Sequence, residues 1–308
     1  MPELPEVEVV RAGLEPAVTG ALVVGVDVHD ARALTRHPGS SAEFEASLTG
    51  RRIVGAARRG KFLWLPLATS TPHGDPADAV VAHLGMSGQL LLRAPAAAPE
   101  RHERVRMIVD HPVHGELGVV FSDQRTFGSL ALDPLVPTVD AAPGGWGTPA
   151  PSVPAQVAHI ARDPLDEAFD ERRFRTRLGR KDSAIKRVLL DQTVASGIGN
   201  IYADEALWAA RIHPETSARL LSTRAANRLL AELRGVLLKA LAEGGTSFDA
   251  LYVNVNGESG YFSRYLHSYG RTGEPCDRCG TPIKRIAFGN RSSHFCPRCQ
   301  RKPSHAST

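Results

Sequence analysis

Apolar positions near the start of the chain recur every three or four residues, at Val7, Val10, Leu14 and Val18. Pro5 suits the first turn of a helix, so this spacing predicts one leading helix. The pattern then changes to short runs: Leu22–Val28, Phe62–Leu67, Gln89–Leu92, Arg106–Val109 and Gly118–Phe121. Several alternate in polarity, and Gly, Pro and Asp punctuate them, which predicts strands. Many short strands that must pair over long separations point to a β-sandwich. Beyond residue 160 helical spacing returns, rich in Ala, Leu, Arg and Glu, over Glu167–Leu178, Ala184–Leu190, Ile201–Ala210 and Ser217–Glu243.

The stretch 136–156 (VPTVDAAPGGWGTPAPSVPAQ) is dense in Pro, Gly and Ala and reads as an interdomain linker or a surface insertion. Thr69–Asp78 reads as an inserted loop, Thr246–Tyr261 as a glycine-containing loop, and 303–308 as a disordered tail. The expected organisation is α+β and multidomain. A sandwich with its leading helix spans 1–135, a helical domain 157–262 and a cysteine-bearing segment 263–302.

Composition narrows the classes. The chain has 308 residues, 42% of them hydrophobic, so disorder throughout is excluded. No run approaches the roughly 18 apolar residues of a membrane span. The start, MPELPEVEVV, is acidic from its third residue and does not read as a secretory signal. Charge matters through its distribution. From Tyr261 to Thr308 there are nine Lys/Arg and two acids, a net +7, which leaves residues 1–260 at −3 within an overall +4. Such a pole favours a polyanion.

All four cysteines lie near the C-terminus, as C-x2-C, sixteen residues, C-x2-C: Cys276, Cys279, Cys296 and Cys299. Two-residue spacing lets both thiolates of a turn reach one tetrahedral ion, and the gap forms a hairpin that returns the second pair. The alternative is two disulfides, disfavoured by the lack of a signal and of any cysteine elsewhere. A four-thiolate site has no open position, so its zinc would hold the fold rather than react. In so short a segment, metal binding would supply most of the folding free energy.

Other segments could carry chemistry, each with a plainer reading beside it. In Gln192–Asn200 (QTVASGIGN), Gly197 and Gly199 permit tight turns and Asn200 is a good N-cap, so two turns between helices could present N–H groups to a phosphate. The segment reads equally as an ordinary connector. Initiator methionine before proline is usually trimmed, which would expose Pro2 as a secondary amine. Such an amine attacking a sugar C1′ gives an iminium electron sink, and Glu3 beside it could act as acid or base. Taken alone, PELPE is a helix start with acids favoured by the dipole. Lys61 is a solvated edge cation, or a lysine that reaches a phosphate or the damaged base. Met86, in His83–Gly88 (HLGMSG), is a core side chain or an exposed wedge. Arg125 and Phe127, two apart in DQRTFG, are a strand end with a core ring or a pair that enters a base stack.

Taken together, MPELPEVE, RRGK, HLGMSG, DQRTFG, IKRVLLDQTVASGIGNIYADE, GYFSRYLHSYGRTGEPC and RSSHFCPRCQ resemble, in order, the formamidopyrimidine-DNA glycosylase (MutM) family, from Met1 to Gln300. The start looks closer to this family than to its endonuclease VIII relatives, which more often begin PEGPE. The resemblance implies a monomeric, cytoplasmic, DNA-associated repair enzyme. It would flip oxidised purines out of damaged double-stranded DNA, excise them and cleave the strand. Pro2 would be the Schiff-base nucleophile and Glu3 the proton donor, with Lys61 supporting elimination. Met86, Arg125 and Phe127 would fill the vacated stack, Arg125 facing the orphaned cytosine. Lys186 and Asn200 would contact phosphates, and His83 the backbone. Arg291, in the zinc hairpin, would bind phosphate and take part in δ-elimination. The Thr246–Tyr261 loop would read the flipped base.

Overall fold

The computed structural model describes residues 2–68, 75–245, 255–256 and 262–302. The chain forms two compact units. One comprises residues 1–159 with 243–261, and the other 160–242 with 262–308. No helix among the described residues is long and apolar enough to cross a membrane.

The first unit starts with α1 (Leu4–Val18), entered through a capping box: the Glu3 N–H donates to Glu6 Oε2 at 2.8 Å, and the Glu3 carboxylate accepts from the Glu6 N–H. Leu4, Val7, Val10, Leu14 and Val18 are buried on one face, as the spacing requires. The strands are β1 (Leu22–Val28), β2 (Ala57–Arg59), β3 (Phe62–Leu67), β4 (Asp78–His83), β5 (Gly88–Arg93), β6 (Glu103–His111), β7 (Gly115–Asp123), β8 (Ser129–Pro137) and β9 (Ser152–Pro154). A helix, α2 (Ser41–Leu48), follows β1 and is capped by Ser40, whose hydroxyl accepts from Glu43 N. The strands form two antiparallel sheets, β1-β6-β7-β5 and β2-β3-β4-β8-β9. Their inward residues build one core, with Val26, Leu90, Met107 and Phe121 from the first sheet and Leu63, Leu65, Val80 and Leu130 from the second.

The stretch 136–156 is not the free linker its composition suggests. β8 runs to Pro137, and β9 returns to pair with it, Leu135 opposite Pro154. Between them Trp146 N donates to Arg58 O at 3.0 Å, and Arg58 N to Trp146 O at 2.9 Å. Arg59 Nε donates to Gly144 O at 2.7 Å. A side chain on Gly144 would collide with Ser152 O, and one on Gly145 with Arg58 O. The glycines are there because backbone lies against backbone, over the face of β3 where Trp64 is buried. That cover explains why all six residues of β3 are buried instead of alternating.

The second unit holds α3 (Glu171–Arg180), α4 (Ile185–Leu189), α5 (Asn200–Ala209), α6 (Thr223–Ala242) and a hairpin of β10 (Lys284–Phe288) and β11 (Arg291–Phe295). The helix expected from residue 167 starts at 171, where the Asp170 carboxylate accepts from Arg173 N at 2.8 Å. The single helix expected over 217–243 is two pieces. A 3₁₀ turn at Ala218–Leu220 is held by Ala218 N donating to Ser183 O and Arg219 N to Lys181 O, and α6 begins after Ser222, whose hydroxyl accepts from Ala225 N. Most of the Thr246–Tyr261 loop, the 69–74 part of the Thr69–Asp78 loop and the tail at 303–308 lie outside the described residues.

Candidate active site and zinc centre

In the first unit the expected active-site residues sit at element ends. Pro2 and Glu3 are buried at the entry to α1, where both halves of the capping box hold the backbone of Glu3. Glu6 also packs against Gly245, whose ideal Cβ would lie 3.1 Å from Glu6 Oε1 and whose φ of +84° suits glycine. Glu8 on α1 ties the helix to β2, since Arg58 Nε donates to its Oε2 at 2.7 Å.

Lys61 lies in the turn between β2 and β3 and is 93% buried, not the solvated cation of the plainer reading. The β3–β4 register places Phe62 opposite His83, with ring centroids 4.8 Å apart, and so brings Lys61 and His83 into one neighbourhood. Burial, then the cations of Arg36 and Lys61, lowers the His83 imidazole to about 4. At neutral pH it is an uncharged hydrogen-bonding ring, and its Nδ1 accepts from Gly85 N at 3.2 Å.

Met86 and Phe127 are 41% and 63% exposed, so neither is a core side chain. They project from two turns, one after β4 and one after β7. Arg125, also exposed, places Nη1 4.0 Å from Met86 Sδ. The turns interlock through their backbones. Gly85 has φ +59° and abuts Phe127 and Gly128, and a Cβ on Gly128 would come 2.8 Å from His83 O. Thr126 takes φ +54°, uncommon for a residue with a side chain.

In the second unit, α4 and α5 flank the QTVASGIGN segment. Gln192 organises it: its Nε2 donates to Leu190 O at 2.9 Å and Ile198 O at 3.0 Å, and its Oε1 accepts from Gly197 N at 2.9 Å. Gly197 has φ +87°. Asn200 is the first residue of α5 and not its N-cap; Gly199 takes the cap position with no side-chain bond. The Asn200 amide is thereby released from capping, and its Oδ1 has no hydrogen-bond partner among the described residues.

Lys186 departs most from expectation. It is fully buried, with Nζ 2.7 Å from Asp204 Oδ1 and donating to Ser292 O at 2.9 Å. An ammonium so enclosed ties α4 to α5 and the hairpin.

Asp204 and its neighbour Glu205 were not singled out by sequence, yet Asp204 fixes the hairpin and Glu205 the segment that leads into the first cysteine pair. Asp204 accepts from Ser293 Oγ and His294 N, each at 2.8 Å. Glu205 accepts from His267 N at 2.9 Å and from Ser268 N and Tyr269 N at 2.8 Å. Burial pushes the Glu205 carboxyl upward while those N–H donors pull it back. Arg291 is exposed at the start of β11, opposite Phe288 across the Gly289–Asn290 turn.

The four cysteine sulfurs all lie within 4.8 Å of one another, the compass of a single tetrahedral ion. None is in a disulfide. Trp208 Nε1 donates to Cys276 Sγ at 3.4 Å, and Cys296 N to Gln300 Oε1 at 2.8 Å, so second contacts orient the ligands. This is a site for one structural zinc ion.

Three family models match this architecture: the formamidopyrimidine-DNA glycosylase N-terminal domain on residues 1–130, the H2TH domain of the same enzymes on 160–250, and the zinc finger found in FPG and IleRS on 273–301. The formamidopyrimidine-DNA glycosylase of Leifsonia xyli is 64% identical over 98% of this chain and 100% of its own length. The chain belongs to the formamidopyrimidine-DNA glycosylase family. A second family member, from a Nocardioides species, is 55% identical over 98% of this chain and 95% of its own length. Among solved structures, the Lactococcus lactis enzyme bound to DNA containing an abasic site matches with a TM-score of 0.79 and 32% identity, over 97% of this chain and 100% of that one. The same enzyme with DNA containing Fapy-dG matches with a TM-score of 0.78 and 31% identity, over the same shares.

Proposed function

We propose that this DNA glycosylase of base excision repair removes oxidised purines, 8-oxoguanine and formamidopyrimidines, through a Schiff base on Pro2, and then cleaves the strand by β,δ-elimination. The observation that carries the reading is the capping box at Glu3 and Glu6, which fixes the backbone immediately after Pro2. With the initiator methionine removed, that backbone holds a secondary amine at a set place. Its attack on C1′ displaces the damaged base, and opening of the C1′–O4′ bond leaves an iminium. The iminium acidifies C2′–H, whose loss expels the 3′ phosphate, and loss of the C4′ proton through the conjugated iminium then expels the 5′ phosphate. Glu3 is next in the chain and supplies the proton for base release and ring opening. Lys61 supports elimination and, with neutral His83 beside it, contacts the DNA backbone.

A base within the duplex cannot present C1′ to the amine, so the nucleotide must leave the stack at a cost of a few kcal/mol. Met86, Arg125 and Phe127 offset that cost by occupying the gap. Asn200, whose side-chain amide is not used in capping and whose Nδ2 can donate to a phosphate oxygen, and Arg291 at the hairpin tip supply backbone contacts. The named relatives and the DNA-bound solved structures support the substrate class.

Borohydride trapping on an 8-oxoguanine:cytosine duplex tests the nucleophile. The wild type should give a covalent adduct that maps to the N-terminal peptide, and Pro2→Gly should severely weaken it. An unchanged yield would remove Pro2 from the chemistry. Clear preference for thymine glycol in parallel excision assays would overturn the purine assignment.

A further inference from the structure

We infer that Asp123 is the positioning residue of the stack-filling side chains, a carboxylate that locks the Met86 turn and the Arg125–Phe127 turn into one rigid wedge. The inference rests on the proposed role of Met86, Arg125 and Phe127 and extends it to a residue that touches no DNA.

Asp123 closes β7, directly opposite Gly88, the first residue of β5. That register sets it beside the turn that ends in Ser87. It is fully buried, as is Ser87 but for 2%. Oδ1 accepts from Ser87 Oγ at 2.5 Å and from Arg125 N at 3.1 Å, and Oδ2 accepts from Gly128 N at 2.7 Å. Ser87 Oγ in turn accepts from Arg125 N at 3.2 Å. The backbone that carries the carboxylate is itself held, because Asp123 N donates to His102 O at 2.8 Å and Arg104 Nε donates to Asp123 O at the same distance.

One buried anion therefore spans three donors, one in the Met86 turn and two that bracket Phe127. The bracketed segment includes Thr126 at φ +54°, a conformation that needs such support. An exposed Phe and Met gain from a base stack only if they arrive pre-shaped, since ordering them at the moment of insertion would consume the contact energy. Charge-assisted bonds to backbone N–H groups supply that order.

The test compares Asp123→Asn, Ser87→Ala and Phe127→Ala with the wild type in two single-turnover assays. One is excision of 8-oxoguanine opposite cytosine, and the other is cleavage at a preformed abasic site. An abasic nucleotide has no base to unstack, so its cleavage depends little on the wedge. For Asp123→Asn, excision should fall about tenfold or more, the scale of losing hydrogen bonds to a charged group, while abasic cleavage stays within about twofold. Ser87→Ala should show the same split more weakly, and it serves if the Asn variant does not fold. Fluorescence of 2-aminopurine placed beside the lesion should show reduced unstacking in step with excision. Equal loss of both activities, or excision within about twofold of wild type, overturns the inference if Phe127→Ala still separates the assays. If Phe127→Ala fails to separate them, the wedge reading itself falls, and the inference falls with it.

Discussion

The ammonium of Lys186 and the carboxylate of Asp204 meet at 2.7 Å with no solvent access to either side chain. An ion pair in such a place costs desolvation on both sides, and only its further bonds, to Ser292 O from the lysine and from Ser293 and His294 to the aspartate, make it tenable. Removing one partner leaves the other charged and uncompensated. Lys186→Met should therefore destabilise the second unit by about 3–5 kcal/mol in a denaturant titration. If stability held and only the salt dependence of DNA binding changed, Lys186 would be a phosphate contact after all.

His83 makes stability depend on pH. Its folded value of about 4 lies below its ordinary 6.5, so the unfolded chain takes up a proton that the fold refuses. The sign follows: the contribution is complete above pH 6.5 and is lost as pH falls toward 4. Between pH 7 and pH 5 the loss should be on the order of 2 kcal/mol, and His83→Gln should remove that part of the slope. Chemical unfolding of both proteins at the two pH values checks this. Parallel slopes would mean that the ring is free to protonate in the folded state.

Zinc holds the hairpin that carries Arg291. Cys296→Ser, or prolonged chelation, should release the metal, unfold the ribbon and abolish tight DNA binding together, because little apolar core backs this segment: Trp208, Ile283 and the cysteines themselves. Metal content and DNA affinity measured on one preparation decide it. Full affinity without metal would show that Asp204 and Glu205 suffice to hold the ribbon.

Gly144 tests the refolded view of the stretch 136–156. A methyl group there would drive into Ser152 O, with Trp64 Cζ2 only 3.5 Å away. Gly144→Ala should cost on the order of 1–3 kcal/mol, the range for overpacking a tight site. A neutral result in thermal unfolding would return the segment to the status of a loose insertion.

Much of this protein could be read from its residues in order. The helix at Leu4–Val18, the strands at Leu22–Val28 and Phe62–Leu67, and the cysteine quartet all emerged where spacing placed them, because periodicity and C-x2-C turns are encoded within a few neighbouring positions. The motifs carrying Pro2, Lys61, Met86, Arg125 and Arg291 pointed to the family for the same reason. Tertiary structure decided what depends on partners far along the chain. Gly144 and Gly145 look like linker residues until β9 returns to β8, and nothing near Lys186 in the sequence shows that α5 sets Asp204 against it. Asp123 is one more turn acid until the β5–β7 register delivers Ser87, 36 residues away, to its carboxylate. Local spacing specifies which elements form, whereas burial and pairing of a given side chain are set only when the sheets close and the hairpin docks, since each needs atoms that the neighbouring sequence does not contain.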